Sequence, residues 1–361
     1  MAQLMLDRPS DDHIRHHLIV NLKTLIMNNI NTLATLTASG LLSAGAIAGE
    51  VAPMTSAPDA TLTLPGLAGS VSMYGYIDIA GTYTDGDGEY DTKDNDTFEA
   101  GVPEVEIGFA FDPADSPWSA VAELSFRNLA STNDDEDAQD DVVFETVTAS
   151  YAFSDALSLT VGNILSYQGF ETYDATGLYQ FSYAGPGSTP LYSAGYAAGM
   201  SLDYVTDAYG FGAWVGESDK GESLSTEFLA QYTDYEGLTA KFIFAGDSLY
   251  KTYNPWASYE IGNFTLAAEY VHTDYDSTDE DTKAFLAMVN YSFGKPALTL
   301  RYSGGDAFNG DTEVYTENFN RYTISPSYAF SDNVLALLEY SYETSDADDN
   351  QLLAAELLFM F

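Results

Sequence analysis

The chain has 361 residues, of which 55 are acidic and 12 basic, with no cysteine, so the formal net charge is −43. That sign excludes a nucleic-acid binder, which must neutralise phosphates, and the missing thiols exclude disulfide frameworks and cysteine chemistry. A disordered acidic chain is excluded by 45% hydrophobic and 14% aromatic content, and 27 tyrosines, 20 phenylalanines and 29 glycines fit an all-β protein.

In chain order, residues 1–48 read as a targeting segment to be removed. Arg15 and Lys23 precede a weakly apolar run, Leu33–Leu42, and small residues follow up to Ala46-Ile47-Ala48, an A-x-A-like cleavage site. Cleavage is expected near Ala48/Gly49. Asp7, Asp11 and Asp12 are out of place in a basic region, so Met27 is an alternative natural start. Residues 49–69, rich in Pro, Ala and Thr, read as a periplasmic leader. No later stretch reaches the roughly 18 apolar residues that a membrane-spanning helix needs.

From Val71 onward the sequence predicts sixteen strands: 71–84, 102–112, 118–129, 142–153, 157–165, 196–206, 209–217, 226–235, 238–246, 253–261, 264–274, 283–293, 297–303, 320–330, 333–344 and 351–361. Every second connection is tight and built of turn formers, such as Asp112–Asp115, Glu236-Gly237, Gly262-Asn263 and Ser331–Asn333. The others are longer and mostly acidic: 85–101, 130–141, 166–195, 217–225, 246–252, 274–282, 304–319 and 344–350. Within strands, apolar and polar side chains alternate. Val105, Ile107, Phe109 and Phe111 oppose Glu104 and Glu106, and Tyr322, Ile324, Tyr328 and Phe330 oppose Arg321, Thr323, Ser325 and Ser327. Aromatic pairs (Tyr151/Phe153, Tyr291/Phe293, Tyr328/Phe330, Phe359/Phe361) stand beside the tight turns, as an interfacial girdle would. The reading is an all-β transmembrane antiparallel β-barrel of about 16 strands spanning residues 70–361. Its short turns face the periplasm and its long loops the cell exterior. The terminal Phe361 fits a last strand that must pair with the first, leaving no edge.

Function in a wide barrel lies in the lumen. The third long connection, 166–195, is aromatic and only lightly charged, which suits folding inward against the wall. Alternation points Arg127, Arg301, Arg321 and Lys241 inward, with Lys283 as a further candidate. On the acidic side it points Asp78, Glu104, Glu106, Glu123, Asp203, Glu227, Glu260, Glu269, Glu339 and Glu356 inward. Negative walls concentrate cations and repel anions, so modest cation selectivity is expected; a saline habitat accounts equally well for the acidic loops. The loop stretches Asp85–Asp91 and Asn133–Asp141 lack ligand spacing, so they offer weak divalent binding, bridging to lipopolysaccharide phosphates, and no dedicated metal site. Past the targeting segment the one histidine is His272, with no nucleophile signature beside it, and neither an enzyme nor a cofactor is expected.

Ser70-Val71-Ser72-Met73-Tyr74-Gly75-Tyr76-Ile77-Asp78 resembles the first strand of the Gram-negative general porins, and Phe361 resembles their terminal aromatic. Leu159–Leu165 and Gly169–Asp174 are similar to the strand and third loop of an OmpL-like porin family. The resemblance implies passive diffusion of ions and small hydrophilic solutes through a homotrimer embedded in outer-membrane lipid. It also implies an acidic third loop, carrying Glu171 and Asp174, opposite a basic wall patch. Here that patch is thinner than the family's arginine cluster. Two alternatives remain at this point. One is a substrate-specific channel, such as a sugar channel, with an aromatic slide of Tyr167, Phe170, Tyr173, Tyr179 and Phe181. The other is a non-conducting structural or adhesive barrel plugged by the third loop.

Overall fold

A computed structural model describes residues 60–62, 69–86, 97–113, 115–129, 141–192, 194–218, 223–276, 281–309, 314–346 and 349–361. A three-residue strand, β1 (Ala60–Leu62), precedes sixteen longer ones. These are β2 (Gly69–Gly86), β3 (Thr97–Pro113), β4 (Trp118–Leu129), β5 (Asp141–Ala152), β6 (Leu157–Leu165), β7 (Tyr196–Val205), β8 (Tyr209–Glu217) and β9 (Leu224–Tyr232). The second half adds β10 (Leu238–Gly246), β11 (Tyr250–Ile261), β12 (Phe264–Tyr275), β13 (Asp281–Ser292), β14 (Pro296–Asn309), β15 (Val314–Ser331), β16 (Val334–Thr344) and β17 (Asp349–Met360).

Each of the sixteen pairs antiparallel with its sequence neighbours, and β17 pairs with β2 from Asn350↔Gly86 to Met360↔Tyr76, which closes the cylinder. Phe361 completes the seam: its backbone N–H donates to the Gly75 carbonyl at 3.0 Å and its carbonyl accepts from Gly75 N–H at 3.0 Å. Below that point β1 takes over the same edge of β2, from Ala60↔Met73 to Leu62↔Val71. A segment read as leader therefore covers backbone groups that β17 does not reach.

The two faces are inverted relative to a soluble sheet. Leu266 and Tyr270 on β12 are exposed while Ala267, Glu269 and Val271 are buried; on β15 Tyr322, Ile324 and Tyr328 are exposed while Arg321, Thr323 and Ser325 are buried. An apolar outside and a polar inside form the stable arrangement when lipid is the outer solvent. The girdle beside the tight turns is in place, with edge-on ring contacts of 5.0 Å for Tyr151/Phe153, 4.6 Å for Tyr291/Phe293 and 5.0 Å for Tyr328/Phe330.

The strand boundaries require one correction. Residues 304–309 and 314–319, expected as loop, continue β14 and β15 past a β-bulge between Gly305 and Ala307. Gly305 has φ +128°, and a Cβ there would sit 2.0 Å from the Lys283 carbonyl oxygen, so the glycine run makes a bulge and not a break. The connections read as 246–252, 274–282 and 344–350 shrink in the same way, to the residues between Gly246 and Tyr250, Tyr275 and Asp281, and Thr344 and Asp349. Strands that rise above the lipid keep their ladder hydrogen bonds while carrying polar side chains, so polarity alone does not end them.

Candidate functional site

The connection between β6 and β7 lies inside the barrel. Ser166 through Glu171 are all buried, and successive residues bond to successive wall strands. Ser166 Oγ and the Tyr167 N–H donate to Glu227 on β9 at 2.6 and 2.7 Å. The Gly169 N–H donates to Asn254 on β11 at 2.7 Å, and the Phe170 N–H to Glu269 on β12 at 3.1 Å. Glu171 pairs with Arg301 on β14. Further along, the Ser182 N–H donates to Glu339 on β16 at 2.8 Å, and the Gly187 N–H to both oxygens of Glu343, at 3.2 and 3.1 Å. A loop carries unpaired backbone N–H groups, and a wall of carboxylates is what accepts them. Phe170 adds an edge contact with Trp256 at 5.7 Å between centroids.

These bonds divide the residues singled out in the sequence into two sets. Asp203, Glu227, Glu269, Glu339, Arg301 and Arg321 hold the loop. The Arg301 side chain is 0% exposed, and besides Glu171 it donates to the Ser182 and Tyr183 carbonyls at 2.6 and 3.0 Å. Arg321 donates to Glu343 at 2.9 Å and to Ser341 Oγ at 2.9 Å. Asp203 accepts from Tyr167 Oη and Ser201 Oγ. Lys241 is buried with its ammonium 5.0 Å over the Trp256 ring. Glu171 and Arg301, expected to face each other across the opening, therefore meet behind the loop, where burial makes them a structural pair. Lys283 is corrected too: Thr282 and Ala284 take the inward positions and Lys283 pairs with Asp281 at the outer rim.

The second set lies on β3 to β5 and across β2, opposite Asp174 at the front of the loop. Glu104 accepts from Tyr76 Oη at 2.6 Å and from Arg127 Nε at 3.2 Å, with a short bond from Ser125 Oγ as well. Glu123 accepts from Tyr74 Oη at 2.5 Å. Arg127 also pairs with one oxygen of Glu145. Carboxylate oxygens of Glu106, Glu145 and Asp174 lie within 4.8 Å of one another. Along the seam Asp78 and Glu356 are both buried.

Sequence reasoning missed Glu145. A bulge between β4 and β5 shifts the register between the pairs Ala122↔Val147 and Leu124↔Phe144. Inward positions change parity there, from Glu145 to Thr148 and Ser150, so strict alternation counted back from Tyr151 puts Glu145 in lipid. The bulge is accommodated on β6. Gly162 has φ +141°, and a Cβ there would meet the Val147 carbonyl oxygen at 2.0 Å. The Asn163 amide donates to the Phe144 and Glu145 carbonyls. An inward-facing Glu followed by β-branched residues and a Gly-Asn on the next strand is the only trace of this in the sequence. Of the acidic loops, residues 87–91 and 133–140 lie outside the described residues, as do residues 1–59.

No protein-family model matches the chain, and no curated protein matches it. Solved structures do. Salmonella typhi OmpF aligns with a TM-score of 0.61 at 14% identity, over 81% of this chain and 98% of that one. An anion-selective porin from Comamonas acidovorans aligns at 0.60 and 14% identity, over 81% of this chain and 100% of that one. OmpT of Vibrio cholerae, an outer membrane protein in its trimer form, aligns at 0.53 and 15% identity, over 81% and 100%. At such identities the likeness is one of fold: the chain has the closed barrel of the bacterial outer-membrane porins.

Proposed function

We propose that the protein is an outer-membrane porin that passes ions and small hydrophilic solutes by passive diffusion, with a modest preference for cations. One observation carries this reading. Arg127 points inward two residues from the outer end of β4, and its side chain is 41% exposed, so water reaches the wall beside the loop at that level. A loop packed against the whole wall at that level would bury it. The preference follows from what surrounds that opening. Glu104, Glu123 and Asp174, partly exposed, gather there around a single described guanidinium with Glu106 and Glu145 buried beside them, and an acid-rich aqueous path concentrates cations.

Of the aromatic slide, Tyr167 and Phe170 are buried against the wall, out of reach of a passing sugar, while Tyr173, Tyr179 and Phe181 are half-buried. His272 lies at the rim against Asp274 and Asp281 at 3.5 and 3.2 Å. Export with cleavage near Ala48/Gly49, a homotrimeric assembly and contact with lipopolysaccharide belong to the same reading; chemical cross-linking tests the trimer directly. The deciding experiment is reconstitution in planar bilayers under a KCl gradient at low salt. A reversal potential that gives K⁺ more permeability than Cl⁻ supports the reading. A ratio near one removes the selectivity, and the absence of conductance steps removes the channel.

A further inference from the structure

We infer that the constriction binds one divalent cation of the calcium class, held by Glu106 of β3, Glu145 of β5 and Asp174 of the inward loop.

The first observation is geometric. One oxygen from each residue lies within 4.8 Å of the other two. Oxygens around a calcium ion stand at roughly 2.3–2.6 Å from it, so two ligands on opposite sides are at most about 5 Å apart. All three oxygens therefore fit one coordination sphere, and water supplies the remaining positions.

The second observation comes from the hydrogen bonds around the cluster. The neighbouring acids have donors: Glu123 has Tyr74, and Glu104 has Tyr76, Ser125 and Arg127. Glu145 has Arg127 on one oxygen only. What remains is Glu145 Oε2 and Glu106 Oε2, neither with a hydrogen-bond partner, on residues that are 2% and 4% exposed. An unpaired carboxylate oxygen in the interior costs several times what a paired one does, and a hard cation is the partner that satisfies two at once. Nor does Asp174 spend its side chain on capping the short turn that follows it.

The wall is shaped to bring these oxygens together. Without the β4–β5 bulge Glu145 would face lipid, and Gly162 and Asn163 of β6 are what let the bulge stand. Bulges of this kind re-aim a side chain at functional sites. Carboxylates alone, with no thiolate and no imidazole, select calcium or magnesium over zinc or copper. Two acids come from the wall and one from the loop, so the ion ties the loop front to the wall. On the channel reading, the bound ion also adds positive charge beside the opening. Calcium should then lower K⁺ conductance and reduce the cation preference.

Binding and conduction are tested separately. Calorimetric titration of the detergent-solubilised protein with calcium chloride is expected to give one saturable site per chain. Its dissociation constant should be on the order of 10⁻⁴–10⁻³ M, as for extracellular oxygen sites. Asp174→Asn, a loop substitution that leaves the wall intact, should weaken binding about tenfold or more, as should Glu106→Gln. Asp281→Asn, which dismantles the rim group around His272, should leave binding as it is. Heat-modifiable gel mobility confirms that each variant is folded. Absence of saturable binding, or binding that survives both Asp174→Asn and Glu106→Gln, overturns the inference. Conduction without calcium binding would sink this inference and spare the channel, whereas calcium binding without conductance steps would do the reverse.

Discussion

Arg301→Met is the sharpest probe of how the loop is held. Arg301 is fully enclosed and donates to Glu171, to the Ser182 and Tyr183 carbonyls, to Ser182 Oγ at 3.0 Å and to Thr323 Oγ1 at 3.2 Å. Methionine matches its stem but leaves the Glu171 carboxylate buried with only Gln180 Nε2 at 2.9 Å and the Ala184 N–H at 2.8 Å. Removing one member of a buried ion pair costs about 3–5 kcal/mol. At about 1.4 kcal/mol per tenfold, the closed-to-open ratio of this part of the loop should fall by roughly two to three and a half powers of ten. The loss should stay local, because Tyr167, Gly169 and Phe170 hang on Glu227, Asn254 and Glu269, which the substitution does not touch. Hydrogen exchange followed by mass spectrometry reads it directly. Amides of Ser182 and Ala184 should exchange faster by about that factor while those of 167–170 keep their protection, and single-channel traces should gain open-state noise. The double variant with Glu171→Gln should recover part of the loss, since the stranded charge is gone. Unchanged exchange at 182–184, or equal acceleration throughout 166–195, would refute the reasoning.

Arg127→Ala should raise the K⁺ to Cl⁻ permeability ratio, by no more than about sixteenfold, since one unit charge 5 Å away in a water-like dielectric is worth about 0.8 kcal/mol and acts with opposite sign on the two ions; a lower ratio in the reversal-potential measurement contradicts this. Gly75→Val should abolish the folded, heat-modifiable band on gels. A Cβ at Gly75 would sit 2.1 Å from the Glu106 carbonyl oxygen on the β2–β3 ladder and 3.0 Å from the Phe361 ring at the closing seam. Ile324→Arg, on the exposed outer face of β15, should lower unfolding stability in lipid vesicles by about 2–4 kcal/mol. A cost near zero in urea titrations would mean that this face meets water.

The barrel was legible because its signals are local and repeated. Period-two alternation and turn chemistry located all sixteen strands, and β4 and β6 coincide with the expected 118–129 and 157–165. Strand ends above the membrane were harder, since the backbone ladder of β14 and β15 persists through polar, glycine-rich sequence. The site was legible in its members and not in their pairing. Alternation gives the direction of Arg301 and Arg321, but nothing in the sequence says that residues 171–187 will lie against them. That placement comes from contacts more than a hundred residues apart, such as Glu171 with Arg301. Glu145 was hidden for a different reason, a single bulge that reverses face parity.

The position of the loop also determines which charges an ion in transit meets. Arg301 and Arg321, counted from the sequence as positive wall, are neutralised behind the loop by Glu171 and Glu343. A buried pair has almost no field at a distance, because its two charges cancel within a few ångströms. On the opposite wall, Glu104 and Glu145 pair with Arg127 beside Glu106 and Glu123, and Asp174 faces them from the loop. The general-porin resemblance implied acid on the loop and base across from it, a transverse field that would orient a dipolar solute. On the proposed reading acid stands on both sides of the opening, so the field would have one sign and accumulate cations without aligning dipoles. Salt screens such a field beyond about 10 Å at 0.1 M, so the preference should be strongest in dilute electrolyte and fade as ionic strength rises.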